Sequence, residues 1–183
     1  MKVIFETPRL VLGQFTENDS SLILNLNSHP GVVKYVHEPV LETEEKAREI
    51  LLNIILPQYK MHLGRWAIYT KESNEFIGWC GLKYQRETEE IDLGYRLHPA
   101  SWGKGYATEA AQHTLAYGLN ELIIPVITGR AHVENIASLK VLKKIGMKWT
   151  RNELIDGCSV KTYIALNTSE QLQHKPKTYS IIK

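Results

Sequence analysis

Hydrophobic and polar positions at the start of the chain predict a strand followed by a helix. Apolar residues alternate with other residues over positions 9–15, which is the period of a half-buried strand. Further on, apolar residues recur at helical spacing up to position 27, and Thr16 and Asn18 are suitable caps before them. The Ser-His-Pro-Gly sequence at 28–31 predicts a turn.

A second helix is predicted over residues 42–58. Its acidic start suits the positive end of the helix dipole. Apolar residues recur on one helical face at Ala47, Ile50, Leu51, Ile54 and Ile55. Because proline lacks the amide hydrogen that a helix interior needs, Pro57 is expected to end or kink this helix.

Three short, aromatic and alternating segments follow at 65–71, 75–85 and 90–98. The links between them have turn composition, so the pattern predicts an antiparallel meander. The second half of the chain alternates helix and strand. The predicted elements are a helix over 106–122, a strand over 126–133, a helix over 135–146 with Asn135 as its cap and Gly146 as its stop, and a strand over 159–167.

Composition favours one domain. The chain has 183 residues, 43% of them hydrophobic, which is enough for one substantial core. We expect a single domain over 1–167 and a loosely ordered tail over 168–183, because the tail is polar and contains a proline. The mixture of elements predicts an α/β (α+β) fold with a mixed, mostly antiparallel sheet.

Charge and cysteine content narrow the function. The net charge is +2 and no dense basic run is present, so we expect no nucleic-acid partner. No apolar run has the length of a membrane span, and the N-terminal residues do not have the pattern of a signal peptide. Cys80 and Cys158 lack metal-ligand spacing, so we expect no metal site and a reducing cytoplasm.

A glycine-rich loop, Trp-Gly-Lys-Gly-Tyr-Ala at 102–107, lies between a predicted strand and a predicted helix. The first amides of a helix have no intrahelical partner and carry partial positive charge. Gly103 and Gly105 leave the backbone open to close approach, and Lys104 adds a full charge. The loop therefore suits a pyrophosphate, although a tight turn into a helix is the simpler interpretation of the motif alone.

Three motifs compete for this loop. A P-loop needs Ser or Thr after its lysine and Gly five residues before it, and the chain has Gly105 and Pro99 there. A dinucleotide fingerprint needs Gly or Ala at position 108, which is Thr108. The acyl-coenzyme A loop, Gln/Arg-x-x-Gly-x-Gly/Ala, fits on Gly105 and Ala107 with Trp102 in place of Gln/Arg.

With these pieces together, the chain resembles the GNAT N-acetyltransferases, and specifically their RimJ/RimL-like branch, which acetylates protein N-termini and small amines. The resemblance covers about residues 5–166. It rests on the segments 6–12, 92–110 and 135–147, whose order and spacing match that branch together. Trp at position 102 is familiar in this branch.

The resemblance implies where acetyl-coenzyme A binds. A V-shaped splay is expected between the strands at 90–98 and 126–133 of a twisted sheet flanked by helices. The pantetheine chain would bind the backbone around Tyr95 and Leu97, and Asn135 would face it. The pyrophosphate would lie on the amides of the loop, which comprises Trp102, Gly103, Lys104, Gly105, Tyr106 and Ala107.

The catalytic residues are less clearly marked. Many GNAT enzymes have a tyrosine acid seven residues after the motif asparagine, where this chain has Leu142. The serine of Asn-x-x-Ser is a proposed substitute in the resembling branch, which points to Ser138, although helix capping is the simpler role for that motif. Asp92 is the first candidate for the base, with a solvated surface position as the alternative.

Several other polar and aromatic groups have a structural role as the simpler interpretation. Glu109 suits a favourable interaction with the helix dipole in the first turn. His98 and His132 could relay protons, although a lone histidine is more often structural. Trp66, Trp79 and Trp102 are expected to pack in the core or at its rim.

The predicted activity is transfer of an acetyl group from acetyl-coenzyme A to a primary amine in a ternary complex. A protein N-terminus is the first candidate acceptor, and a small amine such as a polyamine or aminoglycoside is the second. The rival function is a non-catalytic acyl-coenzyme A-binding or sensing module, which the leucine at 142 keeps open. We expect a monomer or homodimer without a membrane partner.

Overall fold

The computed structural model describes residues 1–36, 38–155 and 157–167. These residues form one sheet flanked by helices. The strands are β1 (Val3–Glu6), β2 (Leu10–Gln14), β3 (Gly64–Thr70), β4 (Phe76–Gln85), β5 (Glu90–Leu97), β6 (Val126–His132), β7 (Lys148–Ile155) and β8 (Cys158–Leu166). The helices are α1 (Ser20–Asn27), α2 (Pro30–Val33), α3 (Glu44–Ile50), α4 (Tyr106–Asn120) and α5 (Ile136–Lys144).

The sheet is mixed and mostly antiparallel, as the sequence predicts. Its strand order is β1-β2-β3-β4-β5-β6-β8-β7. The contact between β5 and β6 is parallel, and every other neighbouring pair is antiparallel. Among the described residues, β5 and β6 are in register only at Asp92 and Thr128. The middle of the sheet therefore opens beyond this pair, which is the expected splay.

The two faces of the sheet bury separate apolar cores. Helices α4 and α5 cover one face, called here the back face, where Ala111, Leu115 and Leu139 pack against Trp66 and Leu82 of the sheet. Helices α1 and α3 cover part of the other face, called here the front face. Their apolar residues pack there against Phe15, Ala67 and Trp79, and include Ile23, Leu26, Ala47 and Leu51.

Two strands were missed at the level of sequence. Strand β1 has four residues with partly exposed side chains, and β7 is exposed along nearly all its length. Both lie at the edges of the sheet, where a strand needs no apolar alternation to be stable. The meander, β6, β8 and the helices α4 and α5 are confirmed within a few residues.

The helical segments before β3 differ from the prediction. Asp19, rather than Thr16 or Asn18, is the N-cap residue of α1, and its carboxylate accepts hydrogen bonds from the backbone and side chain of Thr16. The predicted turn at 28–31 is instead the start of α2, which His29 caps by accepting from the Gly31 amide.

The predicted helix over 42–58 changes its winding along its length. Regular α-helix ends at Ile50 and is followed by a π-helical stretch, Leu51–Ile55, and a 3-10 stretch, Leu56–Met61. Pro57 lies in the first turn of that 3-10 stretch, where its missing amide hydrogen costs no bond. The chain thus accommodates Pro57 by changing its helical winding to 3-10, and the helical segment does not end at this residue.

Two further expectations concern regions outside the core. The tail at 168–183 lies outside the described residues. Within the residues that are described, no helix combines the length and the hydropathy that crossing a bilayer requires.

Candidate active site

The splay exposes backbone groups of β5. The His98 amide donates to the Ile77 carbonyl oxygen at 2.9 Å, and Leu97 is in register with Gly78. In an antiparallel ladder this makes Leu97–Gly78 a pair whose own backbone groups point away from each other. The backbone groups of Leu97, and those of Tyr95 two residues earlier, therefore point from β4 toward β6 and into the opening.

The end of β5 is tied to the glycine loop. The Trp102 indole N–H donates to the Leu97 carbonyl oxygen at 2.8 Å. The Trp102 side chain is 50% exposed, which makes it a rim residue as expected, whereas Trp66 and Trp79 are buried. This bond fixes the loop at the open end of the splay.

The loop has the backbone that its glycines predict. Gly103 and Gly105 have φ values of +74° and +82°, a region that residues with a Cβ rarely adopt. No atom lies within 4 Å of the place that a Cβ on Gly103 would occupy. Gly105 is the N-cap residue of α4 and offers no side chain to the first amides of the helix. The loop thus presents amides to open space beside the exposed Lys104.

The Glu109 carboxylate and an arginine, Arg9, hold this loop in place. Glu109 accepts hydrogen bonds from the Thr7 hydroxyl at 2.6 Å and from the Arg9 amide and side chain at 2.9 and 2.6 Å. The Arg9 guanidinium also donates to the Lys104 carbonyl oxygen. Glu109 therefore anchors the loop to the start of β2, and its predicted role at the helix dipole is incomplete.

Two residues of the glycine loop, Tyr106 and Ala107, pack against neighbouring parts of the protein. The Arg9 guanidinium lies 4.6 Å from the centre of the Tyr106 ring. Tyr106 and Ala107 are both partly buried and pack against the back-face core. One nitrogen of Arg9 would lie 3.4 Å from a Cβ at Gly105, so this cation lies beside the glycine loop. The segment 6–12 carried the signal for Arg9, but nothing in the sequence placed it beside the loop.

Helix α5 brings Asn135 and Ser138 to the other side of the splay. The Asn135 side-chain oxygen accepts from the Ser138 amide at 3.1 Å, which confirms Asn135 as the cap. The Tyr95 hydroxyl donates to the Ser138 hydroxyl oxygen at 3.0 Å. Burial raises the pKa of Tyr95 to about 12, so the phenol stays protonated and remains a donor.

Position 142, where a tyrosine acid is usual, is buried in this chain. Leu142 is 2% exposed and belongs to the back-face core. Helix α5 therefore supplies no phenol at this position, and Tyr95 of β5 brings one to the Ser138 hydroxyl from the opposite strand. Sequence reasoning placed only the backbone of Tyr95 at the site, because spacing along one strand does not show a contact with a distant helix.

Asp92 lies where β5 and β6 part, on the front face. Its carboxylate accepts from the Thr128 hydroxyl at 3.2 Å and from Arg130 at 3.1 Å, and its side chain is 18% exposed. Burial raises the pKa of Asp92 to about 6, although the Arg130 charge and the hydrogen bonds from Thr128 and Arg130 oppose this. The alternative of a solvated surface position for Asp92 is therefore wrong.

The other carboxylates near Arg130 are held as anions. Glu153 accepts hydrogen bonds from Thr162, Arg130 and Arg151. Burial raises the pKa of Glu153, but these hydrogen bonds outweigh it and lower the pKa to about 2. Glu90 also pairs with Arg130. Asp92 is thus the member of this group whose pKa is nearest to neutrality.

The two histidines occupy structural positions. His98 packs edge-on against Phe76, and burial lowers its pKa. His132 stacks on Tyr35, and its Nδ1 accepts from the Glu134 amide at 3.2 Å. These contacts favour the structural alternative for both residues.

Comparisons with known proteins place this arrangement in a family. Residues 9–148 match the family model described as an acetyltransferase (GNAT) domain. An uncharacterized N-acetyltransferase p20 from Bacillus licheniformis is 30% identical over 143 residues, which cover 78% of this chain and 80% of that protein.

Two solved structures have the same fold. A GNAT-family acetyltransferase from Bacillus anthracis is 26% identical, with a TM-score of 0.75 over 91% of this chain and 98% of that one. RimL, a ribosomal L7/L12 α-N-protein acetyltransferase solved with coenzyme A, has a TM-score of 0.78 at 17% identity, over 91% and 98% of the two chains.

These matches cover most of the chain, and they agree with a splayed, mostly antiparallel sheet whose opening borders a glycine loop. The chain belongs to the GNAT acetyltransferases, enzymes whose acetyl donor is acetyl-coenzyme A.

Proposed function

We propose that the protein transfers an acetyl group from acetyl-coenzyme A to a primary amine by direct attack in a ternary complex. The observation that carries this proposal is the opening between β5 and β6, which has free backbone groups along one wall and the hydroxyl pair Tyr95–Ser138 across it. When bound, the donor supplies a thioester whose carbonyl carbon accepts the amine.

The donor would be held by backbone groups of β5. The amide and carbonyl of Tyr95 and the amide of Leu97 point into the opening, where an amide-containing chain can bind as an added strand. The Leu97 carbonyl oxygen already accepts a hydrogen bond from Trp102, so it is a weaker partner for the donor than these three groups. The side-chain oxygen of Asn135 caps α5, which leaves its amide nitrogen to donate to the pantetheine arm.

The donor pyrophosphate would lie on the glycine loop. Amides at the start of α4 and the exposed Lys104 supply positive charge, and Gly103 leaves the approach open. Arg9 borders the same place and keeps the loop in this conformation through Glu109. The pyrophosphate is therefore expected to contact the backbone of residues 103–107.

Ser138 is proposed as the proton donor to the departing sulfur: its O–H bond breaks as the S–H bond of coenzyme A forms, and its oxygen recovers a proton from water. Since the Tyr95 hydroxyl donates to the Ser138 oxygen, the hydrogen of Ser138 is directed to another acceptor. A thiol has an ordinary pKa near 8.5, so its thiolate needs only modest help to leave. Tyr95 is the positioning residue in this scheme.

Asp92 is proposed as the base that accepts the proton of the amine. Its pKa of about 6 leaves it ionised at neutral pH, yet basic enough to share a proton with an amine. The ordinary pKa of an α-amine, about 7.7–8.0, is not far above that of Asp92. Transfer of a proton from the amine to Asp92 is therefore only slightly unfavourable. This match favours a protein or peptide N-terminus over a more basic alkyl amine.

Direct transfer is favoured over an acetylated enzyme. Cys80 is buried, and burial raises the pKa of its thiol to about 12, so it is not an available nucleophile. Ser138 has a phenol beside it rather than a base. Within the described residues, no serine or cysteine at the opening is paired with an activating histidine.

A protein N-terminus is the first candidate for the acceptor. The likeness to RimL supports the RimJ/RimL-like branch, and RimL itself is named for acetylating a ribosomal protein. A small amine remains the second candidate. We propose that the protein acts in the cytoplasm, a reducing compartment that suits its two free cysteines, Cys80 and Cys158. A monomer or homodimer is proposed as its oligomeric state.

The proposal is tested by supplying acetyl-coenzyme A with a panel of peptides and small amines and measuring released thiol. Release that requires an amine is expected. The alternative function is a non-catalytic acyl-coenzyme A-binding module. It is supported by the buried Leu142, which takes the place of a tyrosine acid. It predicts binding by calorimetry without thiol release from any amine of the panel.

A further inference from the structure

A patch of sheet without side chains lies on the front face beside Asp92. Gly81 of β4 is in register with Gly94 of β5. A Cβ on Gly81 would clash with the Gly64 carbonyl oxygen, so the backbone of β3 covers Gly81, and of the two glycines only Gly94 is bare. A Cβ on Gly94 would meet only the Trp79 ring, at 3.5 and 3.6 Å. We call Gly81 and Gly94 the glycine floor. Because Asp92 lies two residues before Gly94 on the same face, the floor adjoins the point where the strands part.

Three cations surround the glycine floor. Arg65 of β3 is in register with Gly81, Lys83 with Asp92, and Arg96 with Trp79. The Arg65 guanidinium lies 4.6 Å from the centre of the Trp79 ring, and that of Arg96 lies 5.6 Å from the same ring. One indole thus contacts two guanidinium groups.

The charge around the glycine floor is not balanced. Arg96 is satisfied, because it donates to Asn27 and pairs with Glu38 at 2.9 Å. Among residues 1–36, 38–155 and 157–167, Arg65 and Lys83 have neither an ion-pair partner nor a side-chain hydrogen bond. Two of the nearby carboxylates are already engaged, since Glu38 pairs with Arg96 and Asp92 accepts from Arg130. A third, Glu87, partly offsets the charge of Lys83, so Arg65 is the less balanced of the two cations.

Holding these cations without partners has a cost. Burial, and then the charge of Arg96, lower the pKa of Arg65 to about 10. Burial, and then the charge of Arg65, also lower the pKa of Lys83. An unpaired cation taken out of water is unfavourable, and an anion that binds beside it removes that cost.

The glycine floor is open to an incoming molecule at Gly94, whereas Gly81 is buried. Trp79 and Arg96 are buried, whereas Arg65, Lys83 and Gly94 keep part of their surface exposed. Guanidinium offers paired donors that match the two oxygens of a carboxylate or phosphate, and its contact with an indole fixes its plane.

We propose that the acceptor amine carries an anionic oxygen group, a carboxylate or a phosphate, and that Arg65 binds this group over the glycine floor with Lys83 beside it. The inference rests on the proposed function and names the class of its acceptor. Arg65 is thereby a specificity-determining residue. An acceptor with extra positive charge, such as a polyamine, is disfavoured by the same two cations.

The spacing restricts the acceptor further. Two strand spacings, roughly 10 Å in all, separate β3 from β5, and the Arg65 side chain covers part of that distance. The amine at Asp92 and the anion at Arg65 are therefore several bonds apart. A peptide with an acidic residue next to its N-terminus meets this requirement better than a free α-amino acid does.

The test uses the full chain and three peptides that differ only at the second residue, which is Glu, Gln or Lys, with a phosphoserine peptide as a fourth arm. Released thiol gives kcat/KM for each. Wild type is expected to favour the Glu or the phosphoserine peptide over the Gln peptide by about tenfold or more. The Lys peptide is expected to be poorest. Arg65→Gln should reduce the ratio of the favoured peptide to the Gln peptide to about one.

Two variants control for charge and folding. Arg86→Gln removes an exposed arginine from the turn after β4 and should keep the wild-type ratio. Arg65→Lys keeps the charge without the paired donors and should retain part of the preference. Equal kcat/KM for the four peptides in wild type, or an unchanged ratio in a folded Arg65→Gln protein, overturns the inference.

A binding measurement separates this inference from the proposed function. Succinate is titrated at constant ionic strength while the melting temperature is recorded. Wild type and Arg86→Gln should be stabilised, and Arg65→Gln should not. Stabilisation that depends on Arg65 without acetylation of any amine supports the anion site and refutes the proposed function. Acetylation with no preference for anionic peptides, and no effect of succinate, refutes the anion site alone.

Discussion

The Tyr95 hydroxyl of β5 donates a 3.0 Å hydrogen bond to the hydroxyl oxygen of Ser138 in α5, beside the opening between β5 and β6. The first residue belongs to a strand whose backbone faces that opening, and the second to the helix that Asn135 caps. The pair brings a protonated phenol to the serine proposed as the proton donor. It does so although position 142, where a tyrosine is usual, holds a buried leucine.

Replacing Ser138 with alanine is expected to lower kcat by about 10²-fold or more, the contribution of a positioned proton donor. Acetyl-coenzyme A affinity should change little, because the cofactor contacts proposed for β5 and the glycine loop remain. Stopped-flow thiol release and calorimetry measure the two quantities.

Tyr95→Phe removes the hydroxyl that orients Ser138 and keeps the ring. A smaller fall in kcat than that of Ser138→Ala is expected, and the double variant should be no slower than Ser138→Ala alone. Wild-type kcat in a folded Ser138→Ala protein would return Ser138 to a role in the first turn of α5. Additive losses in the double variant would show that the hydroxyls act separately.

Gly103→Val is expected to weaken acetyl-coenzyme A binding by blocking the approach of the pyrophosphate to the loop. Gly146→Val is the matched control. Both glycines have positive φ, +74° and +87°, and at both the place that a Cβ would occupy has no atom within 4 Å. Both substitutions therefore strain the backbone alike, and only the first lies at the loop.

Calorimetry with acetyl-coenzyme A and thermal melting compare the two glycine variants. A similar loss of melting temperature is expected in both, together with a loss of affinity in Gly103→Val alone. Equal affinity in the two variants would remove the pyrophosphate from this loop.

The rate should depend on pH through Asp92. Since the pKa of Asp92 is raised to about 6 and the carboxylate is the active form, kcat/KM is expected to fall as pH drops below about 6. Thr128→Val removes a hydrogen bond that lowers this pKa, so the acid limb should move to higher pH. Asp92→Asn should lose the limb and about 10²-fold in rate. A pH profile in Asp92→Asn that matches wild type would exclude Asp92 as the base.

Glu153 should contribute stability that disappears in acid. Its pKa is lowered to about 2 from an ordinary 4.5, so its stabilising contribution is fully present above about pH 4.5 and is lost as pH falls toward 2. Glu153→Gln should therefore have a smaller drop in the urea midpoint between pH 6 and pH 3 than wild type. Glu72→Gln, at an exposed position in the turn after β3, is the control. Identical drops in wild type and Glu153→Gln would refute this assignment.

The elements that could be predicted from sequence are those whose pattern is local. The glycines at 103 and 105 require positive φ, Asn135 caps its own helix, and the meander strands alternate. Edge strands β1 and β7 could not be predicted in this way, because their stability comes from pairing with a neighbour rather than from a buried face.

The candidate site residues follow from single elements, but the contacts between elements do not. The resemblance pointed to Ser138 and strand alternation to Asp92, whereas the Tyr95–Ser138 bond joins residues 43 positions apart. The raised pKa of Asp92 depends on burial among β6 residues that no local pattern indicates. Arg65 had no motif at all, and only the register of β3, β4 and β5 places it beside two glycines.

Mass spectrometry of a single turnover distinguishes direct acetyl transfer from transfer through an acetylated enzyme. The protein is mixed with acetyl-coenzyme A alone, and then with an acceptor peptide, and both protein and peptide are weighed. Direct transfer predicts an unmodified protein at each stage and one acetyl group on the peptide amine for each coenzyme A released. An acetylated protein before the peptide is added would refute direct transfer, and bound acetyl-coenzyme A with no acetylated amine from any acceptor would refute the proposed activity.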